Sequence, residues 1–376
     1  MSSSQPSNSS VSSSSPSSTW KGWFNQKFCE GLVLLDIVWY QVMHIPWFLR
    51  NELNLISHID EYHDHDEKKN RLKYWLLKGF GQVVRKLKRF LYGKDHEKNF
   101  YLNYGIRYAN QRRRQTVHEY IPFKPDQSNR VYIFLHGGTW HSGSADLYHR
   151  FASFVSGQKN HACYNLNYSL FPQVHLEEMI EDVDRGVNYV IERVNEKMDN
   201  PEIILVGHSA GAHLFSLISL NKIYNNFNFE KTNWKLEQVK KLVLLCGVYD
   251  MATHYEYEKT RKVHDISPMW KICKGTHRFP LFSPTLIIRS NNVANPESVS
   301  KWPSTSIAHG KKDVTCPWIQ SQVFHQELSA LCPNSVIQLH PLEQFFHGDL
   351  ITNFMGIERD FDKRDQIWKI INSSLQ

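Results

Sequence analysis

Gly207-His208-Ser209-Ala210-Gly211 sets a serine midway between two glycines, directly after the apolar run Ile203-Ile204-Leu205-Val206. A hydroxyl raised on a sharp strand-to-helix turn can attack a carbonyl carbon, and the glycines keep side chains out of the crowded elbow. Ser209 is therefore the candidate nucleophile. The apolar run before it reads as a buried strand, and Ala212 to Leu220 after it read as a helix. Attack on a carbonyl generates an oxyanion, which needs N–H donors already in place. Val131 to Leu135 is a second strand-like run, and it empties into His136-Gly137-Gly138-Thr139-Trp140. A glycine-rich turn there lets the backbone approach substrate closely. Gly137, Gly138, Thr139 and, just after the nucleophile, Ala210 are the expected oxyanion hole.

A serine of this kind works with a general base and with an acid that orients the base, expected in the order Ser, Asp or Glu, His. Ser304 to Ala308 reads as a late strand, and the loop beyond it carries Asp313 in His309-Gly310-Lys311-Lys312-Asp313-Val314-Thr315-Cys316-Pro317. A helical stretch from Trp318 to Leu331 and a strand from Val336 to Leu339 follow. The next loop carries His347 in Phe345-Phe346-His347-Gly348-Asp349-Leu350. Ligand chemistry in open α/β sheets collects at the carboxyl ends of strands, so this position favours His347 over His309 and His340. Asp313 is the expected acid. Asp250, after the strand Leu242 to Leu245, is its competitor, and Asp349 lies too near His347 in sequence to be preferred.

These segments resemble the α/β-hydrolase superfamily, and within it the esterase branch related to hormone-sensitive lipase. Asn167-Tyr168-Ser169-Leu170-Phe171-Pro172 is similar to that branch's Asp-Tyr-Arg-Leu-Ala-Pro stretch, with departures at the first, third and fifth positions. Two subfamilies are similar: kynurenine formamidases and isoprenylcysteine methylesterases share both glycine motifs. The methylesterases also share the His-x-Asp-Leu at His347 to Leu350 and the Asp-x-x-x-Pro at Asp313 to Pro317. The Tyr104-Gly105 start and Arg261 to Pro268 likewise resemble that group. The resemblance runs from about Tyr101 onward. It implies a mostly parallel central sheet flanked by helices, with an N-terminal helical extension. It further implies a serine carboxylesterase working through an acyl-enzyme, with no metal or organic cofactor. A prenylcysteine methyl ester is the substrate it suggests. An arylformamide such as N-formylkynurenine is the alternative, and a non-catalytic binding protein on the same fold is a reading of another class.

The elements that must position this chemistry lie in a chain of 376 residues, long enough for one large domain with appendages. Expected boundaries are a Ser-rich tail over 1–19, an apolar and basic extension over 20–98, and the catalytic domain over 99–376. The tail has too little apolar surface to offset ordering entropy and is expected to be disordered. Its first eighteen residues lack the basic start and apolar core of a secretory signal. Gly31 to Leu49 is apolar but interrupted by Asp36, Gln41, His44 and Pro46, which leaves open a span, an interfacial helix or a helix packed on the domain. His63-Asp64-His65-Asp66-Glu67 imitates a metal box, yet adjacent alternating ligands rarely converge on one ion, so a solvated linker is expected.

Lys68 to Lys94 holds ten Lys and Arg and no acid. Leu72, Trp75, Leu76, Phe80, Val83, Val84, Leu87, Phe90 and Leu91 recur at helical spacing, so a basic amphipathic helix suited to an anionic membrane surface is expected. The alternative is a cap helix laid on the catalytic domain. Nucleic acid is not the expected partner, because base stacking needs exposed aromatics and the stripe buries them. The net charge of +7 owes much to this segment. Six cysteines without a Cys-x-x-Cys pair read as reduced thiols. Together these features lead to an expected location at the cytoplasmic face of an internal membrane (endoplasmic reticulum or Golgi) or in the cytoplasm.

Overall fold

A computed structural model describes residues 99–376, apart from 231, 266, 291–295, 356–359 and 374–376. The Ser-rich tail, the apolar run at 31–49, the His-Asp stretch at 63–67 and the basic stretch at 68–94 lie outside the described residues. Eight strands follow in chain order: β1 (Phe100–Arg107), β2 (Thr116–Pro122), β3 (Arg130–Leu135), β4 (Ala162–Leu166), β5 (Glu202–His208), β6 (Val239–Leu245), β7 (Ser304–Gly310) and β8 (Ile337–Leu342). They form one sheet in the order β1-β2-β4-β3-β5-β6-β7-β8. β2 pairs antiparallel with both β1 and β4, and every pairing from β4 across to β8 is parallel.

Parallel strands need long crossovers, and helices supply most of them. α1 (His149–Lys159) joins β3 to β4, α2 (Leu176–Asn195) joins β4 to β5, and α3 (Ala210–Tyr224) joins β5 to β6. Between β6 and β7 the chain makes a longer excursion through α4 (Met251–Thr260), α5 (Met269–Ile272), α6 (Pro284–Ser290) and α7 (Pro296–Ser300). α8 (Ile319–Leu331) leads to β8, and α9 (Asp349–Met355) and α10 (Phe361–Asn372) close the chain. β3, β5 and β6 are apolar almost throughout because helices cover both faces of the sheet. One face packs Tyr132, Phe134, Ile204, Val206, Val243 and Leu245 against Phe151, Phe154, Phe354 and Trp368. Rings meet there edge to face, with Phe151 and Phe354 centroids 5.2 Å apart. The two-residue period of a strand turns Ile133, Leu205 and Leu244 to the other face.

Two charged groups enter this sheet. Glu119 on β2 is fully buried and accepts from Arg193 of α2 at 2.8 and 3.0 Å, so the pair ties the antiparallel corner to the helix layer. Lys241 on β6 is buried too, and its Nζ donates to the Ile370 and Ser373 carbonyls at the end of α10. Burial lowers the Lys241 pKa to about 7, and in either state its N–H groups satisfy carbonyls that the helix itself leaves without partners.

Candidate active site

All strands from β4 to β8 run the same way, so the loops leaving β3, β5, β7 and β8 emerge on one edge of the sheet. β3 and β5 are neighbours, as are β7 and β8. That order brings the glycine-rich turn beside Ser209, the candidate nucleophile, and the Asp313 loop beside the His347 loop.

Ser209 stands between β5 and α3 with φ 53° and ψ −118°, a left-handed backbone that a serine adopts only when its surroundings impose it. The constraint is visible on both sides. The Ser209 N–H donates to Leu245 O of β6 at 2.8 Å, and the His213 N–H of α3 donates to Ser209 O at 3.1 Å. A Cβ on Gly211 would lie 2.2 Å from Leu135 O, and one on Gly207 would lie 2.6 Å from the Ala212 nitrogen. Any side chain at either position would open the elbow.

Asp313 and His347 meet across the β7 and β8 loops, with His347 Nδ1 2.6 Å from Asp313 Oδ2. The two loops are laced together by the backbone: Lys311 N–H donates to Leu342 O, and Lys312 N–H to Phe345 O. Asp313 Oδ1 accepts from the Thr315 and Cys316 amides, each at 2.8 Å. Burial pushes this carboxyl up, but hydrogen bonds from His309 and His347 outweigh it and hold the group well below the ordinary carboxylate range. Asp313 is therefore an anion at any pH of interest, and an anion at Oδ2 selects the His347 tautomer that carries its proton on Nδ1. The free lone pair is then on Nε2.

The turn after β3 is wound tightly, with positive φ at three successive residues: Gly138 (124°), Thr139 (49°) and Trp140 (60°). Gly138 O accepts from the Ser142 N–H at 2.9 Å and from Ser142 Oγ at 2.8 Å, which anchors the carbonyl on the far side of the turn. Among the described residues, none accepts a hydrogen bond from the Gly138 or Thr139 N–H. Gly137 lies against the elbow, since a Cβ there would come within 2.9 Å of both Ser209 Cβ and His208 O. Two unengaged amides beside a nucleophile are what an oxyanion hole requires.

Residues 118–328 match the BD-FAE family, more than half of the chain. The chain belongs to the BD-FAE family. The matched span holds the glycine-rich turn, Ser209 and Asp313, and it ends before His347. Among characterised proteins, the chain is similar to the isoprenylcysteine alpha-carbonyl methylesterase of Arabidopsis thaliana, 27% identical over 242 residues that cover 63% of this chain and 54% of that one. It is similar also to the kynurenine formamidase of Drosophila melanogaster, 25% identical over 206 residues covering 52% and 63%. The chain spans about half the length of the methylesterases it matches. In fold it is similar to esterase B from Lactobacillus rhamnosis, with a TM-score of 0.59 at 18% identity over 80% of this chain and 94% of that one. A hormone-sensitive lipase from a metagenome library gives 0.54 at 14% identity, over 81% and 99%. The expected α/β-hydrolase architecture, a mostly parallel sheet flanked by helices, is the one found.

Within this BD-FAE domain the competing residues have other employment. Asp250 caps α4, its carboxylate accepting from the Ala252 and Thr253 amides at 3.0 and 3.1 Å. Asp349 accepts from Lys363 Nζ at 2.7 Å and from the Phe346 N–H at 3.0 Å, so it braces the base loop from behind. His309 is fully buried beneath Asp313. Cys246, His309 and Asp313 bring potential metal ligands within 4.8 Å of one another. Both nitrogens of His309 and both oxygens of Asp313 already have partners, however. An ion there would have to displace those hydrogen bonds inside the core, so the trio does not fit a metal.

Three contacts were not anticipated from sequence. Trp140 Nε1 donates to His213 Nδ1 at 3.0 Å, and His213 Nε2 donates on to Phe282 O at 2.8 Å. An indole N–H can only donate and a carbonyl can only accept, so this chain has one direction, and it pins the glycine-rich turn to α3. His208 Nε2 donates to His347 O at 3.2 Å, joining the elbow to the base loop. Burial, then the neighbouring His347, lowers the His208 pKa to about 3, which leaves a neutral brace. The third contact ties α4 to the acid loop, where Tyr257 and Arg261 both donate to Val314 O.

Proposed function

We propose that this protein is a serine carboxylester hydrolase. The observation that carries the reading is the 2.6 Å bond between His347 and an ionised Asp313 on the same sheet edge as Ser209 at its strained elbow. Ser209 Oγ attacks the ester carbonyl as His347 Nε2 takes its proton, and Asp313 balances the imidazolium that forms. The carbonyl oxygen, now an oxyanion, accepts from the Gly138, Thr139 and Ala210 amides, with Gly137 giving room for the approach. Collapse expels the alkoxide, which takes the proton from His347. Water then attacks the acyl-enzyme, gives its proton to His347, and the second collapse returns that proton to Ser209. No cofactor takes part in any of these steps.

The methyl ester of a prenylated cysteine is the substrate this reading favours, supported by the likeness to the plant methylesterases. A lipid-anchored substrate also gives a role to the basic stretch at 68–94, which would bring the enzyme to an anionic membrane at the cytoplasmic face of the endoplasmic reticulum or Golgi. Boundaries near 19 and 98 would then separate tail, membrane-contacting extension and catalytic domain. Labelling of the purified full-length protein by a fluorophosphonate, together with p-nitrophenyl acetate hydrolysis, tests the chemistry. Both should vanish in Ser209→Ala, with turnover down by about 10⁴ or more. Retention of either overturns the proposal. Turnover of a prenylcysteine methyl ester in vesicles, set against N-formylkynurenine in solution, decides between substrates. Preference for the formamide would replace the ester reading.

A further inference from the structure

Asp313 Oδ2 faces two imidazoles. His347 Nδ1 lies 2.6 Å away, and the Nε2 of His309, whose side chain is fully buried, lies 3.2 Å away. The second ring has a defined tautomer. Its Nε2 also stands 2.9 Å from the Cys316 carbonyl, which can only accept, so the proton is on Nε2. Its Nδ1 stands 2.7 Å from Ser321 Oγ on α8 and must accept the serine proton. Ser321 and His309 are both fully buried. The outcome is a one-way line of donors from Ser321 to His309, whose Nε2–H is divided between Cys316 O and the carboxylate.

Resting on the assignment of Asp313 as the catalytic acid, we infer that His309 is a positioning residue that holds Asp313 Oδ2 from behind and so aims it at His347. The geometry explains why one carboxylate needs so many donors. The two backbone amides fix Oδ1 alone and leave the group free to rock about that oxygen. A donor behind Oδ2 stops the rocking, and it also keeps the carboxylate solvated within the protein while His347 is neutral, before the imidazolium forms. His309 touches no substrate and passes no proton, because its only acceptors are the carboxylate and a backbone carbonyl. The end of β7 and the loop beyond it thus supply both the acid and its support, since His309 is the penultimate residue of β7 and Asp313 follows four residues later.

Two substitutions separate this role from mere packing. Gln places an amide N–H near the position of imidazole Nε2, whereas Asn places one near Nδ1. In His309→Asn the full-length enzyme should lose about 10- to 100-fold in kcat, the worth of one hydrogen bond to a charged group, with KM changed less than about threefold. His309→Gln should recover kcat to within about fivefold of wild type. A packing role would treat the two alike. Equal losses, or a loss falling on KM, therefore overturn the inference. Should His309→Asn fail to fold, Ser321→Ala gives the same test in milder form. It frees the His309 ring to turn away, and an unchanged kcat would likewise count against the proposal. Asp313→Asn runs alongside. If that variant keeps normal activity, the assignment of the acid has failed. If it is inactive while both His309 variants are normal, the acid stands and the inference about His309 falls.

Discussion

Replacing Asp313 by Asn removes one oxygen and one charge, and the surroundings dictate how the amide must sit. Four donors converge on the carboxylate: the Thr315 and Cys316 amides on Oδ1, and His347 and His309 on Oδ2. An asparagine has a single acceptor. Turning its NH2 toward Oδ1's place would set it against two backbone N–H groups that cannot move, so the oxygen goes there and the NH2 faces both imidazoles. His347 must then accept at Nδ1, which shifts its own proton to Nε2, the atom that should receive the proton of Ser209. The fall in kcat should be about 10⁴, roughly 5.4 kcal/mol of barrier. Two charge-assisted bonds are lost as well, so unfolding in urea should show about 2–4 kcal/mol of destabilisation. Asp250→Asn is the control. An asparagine still accepts from the Ala252 and Thr253 amides, and stability should change by less than about 0.5 kcal/mol with kcat within about threefold. The assays are p-nitrophenyl acetate turnover and urea melts on both variants. A loss below about thirtyfold at Asp313, or an equal loss at Asp250, would refute the tautomer argument.

Trp140→Phe keeps the ring but deletes the bond to His213, so the oxyanion turn should loosen. We expect kcat to fall by about 10- to 100-fold with KM nearly unchanged, and thermal stability to drop by about 1 kcal/mol. The Glu119 carboxyl is pushed up by burial but pulled down further by hydrogen bonds from Arg193 and Asn103, to about 2 from an ordinary 4.5. A folded value below the unfolded one means that its contribution is complete above pH 4.5 and is lost as pH falls toward 2. Glu119→Gln should therefore flatten that part of the stability profile in acid melts, and an unchanged slope would show that the ion pair is not the cause. Charge reversal of Arg85, Lys86, Lys88 and Arg89 to Glu should release the full-length protein from anionic vesicles, at about 1 kcal/mol per residue, while p-nitrophenyl acetate turnover stays normal. Co-sedimentation that survives the reversal would turn the basic stretch into a cap helix and favour a soluble substrate.

Local sequence determined the parts of this protein that depend on near neighbours. Apolar runs such as Val131 to Leu135 and Leu242 to Leu245 read as buried strands because, covered on both faces, they need no polar alternation. The elbow was legible because the glycine on either side of Ser209 is required within two residues of it. β1 and β2 escaped notice: the register shift between Asn103 and Ile106 breaks any period, and the buried Glu119 disguises a core strand as a polar one. The order of motifs favoured Asp313 over Asp250, and tertiary structure decided which carboxylate meets His347. Asp250 and Asp313 both follow a strand, and only the lacing of the β7 and β8 loops delivers Asp313 to His347, while the start of α4 claims Asp250 as its cap. It likewise decided that Trp140 would meet His213, that His208 would brace the base loop and that His309 would stand behind the acid. Such pairs leave no periodic trace in the chain. The energy of a buried donor meeting its acceptor is collected only after the sheet has brought together residues far apart in sequence.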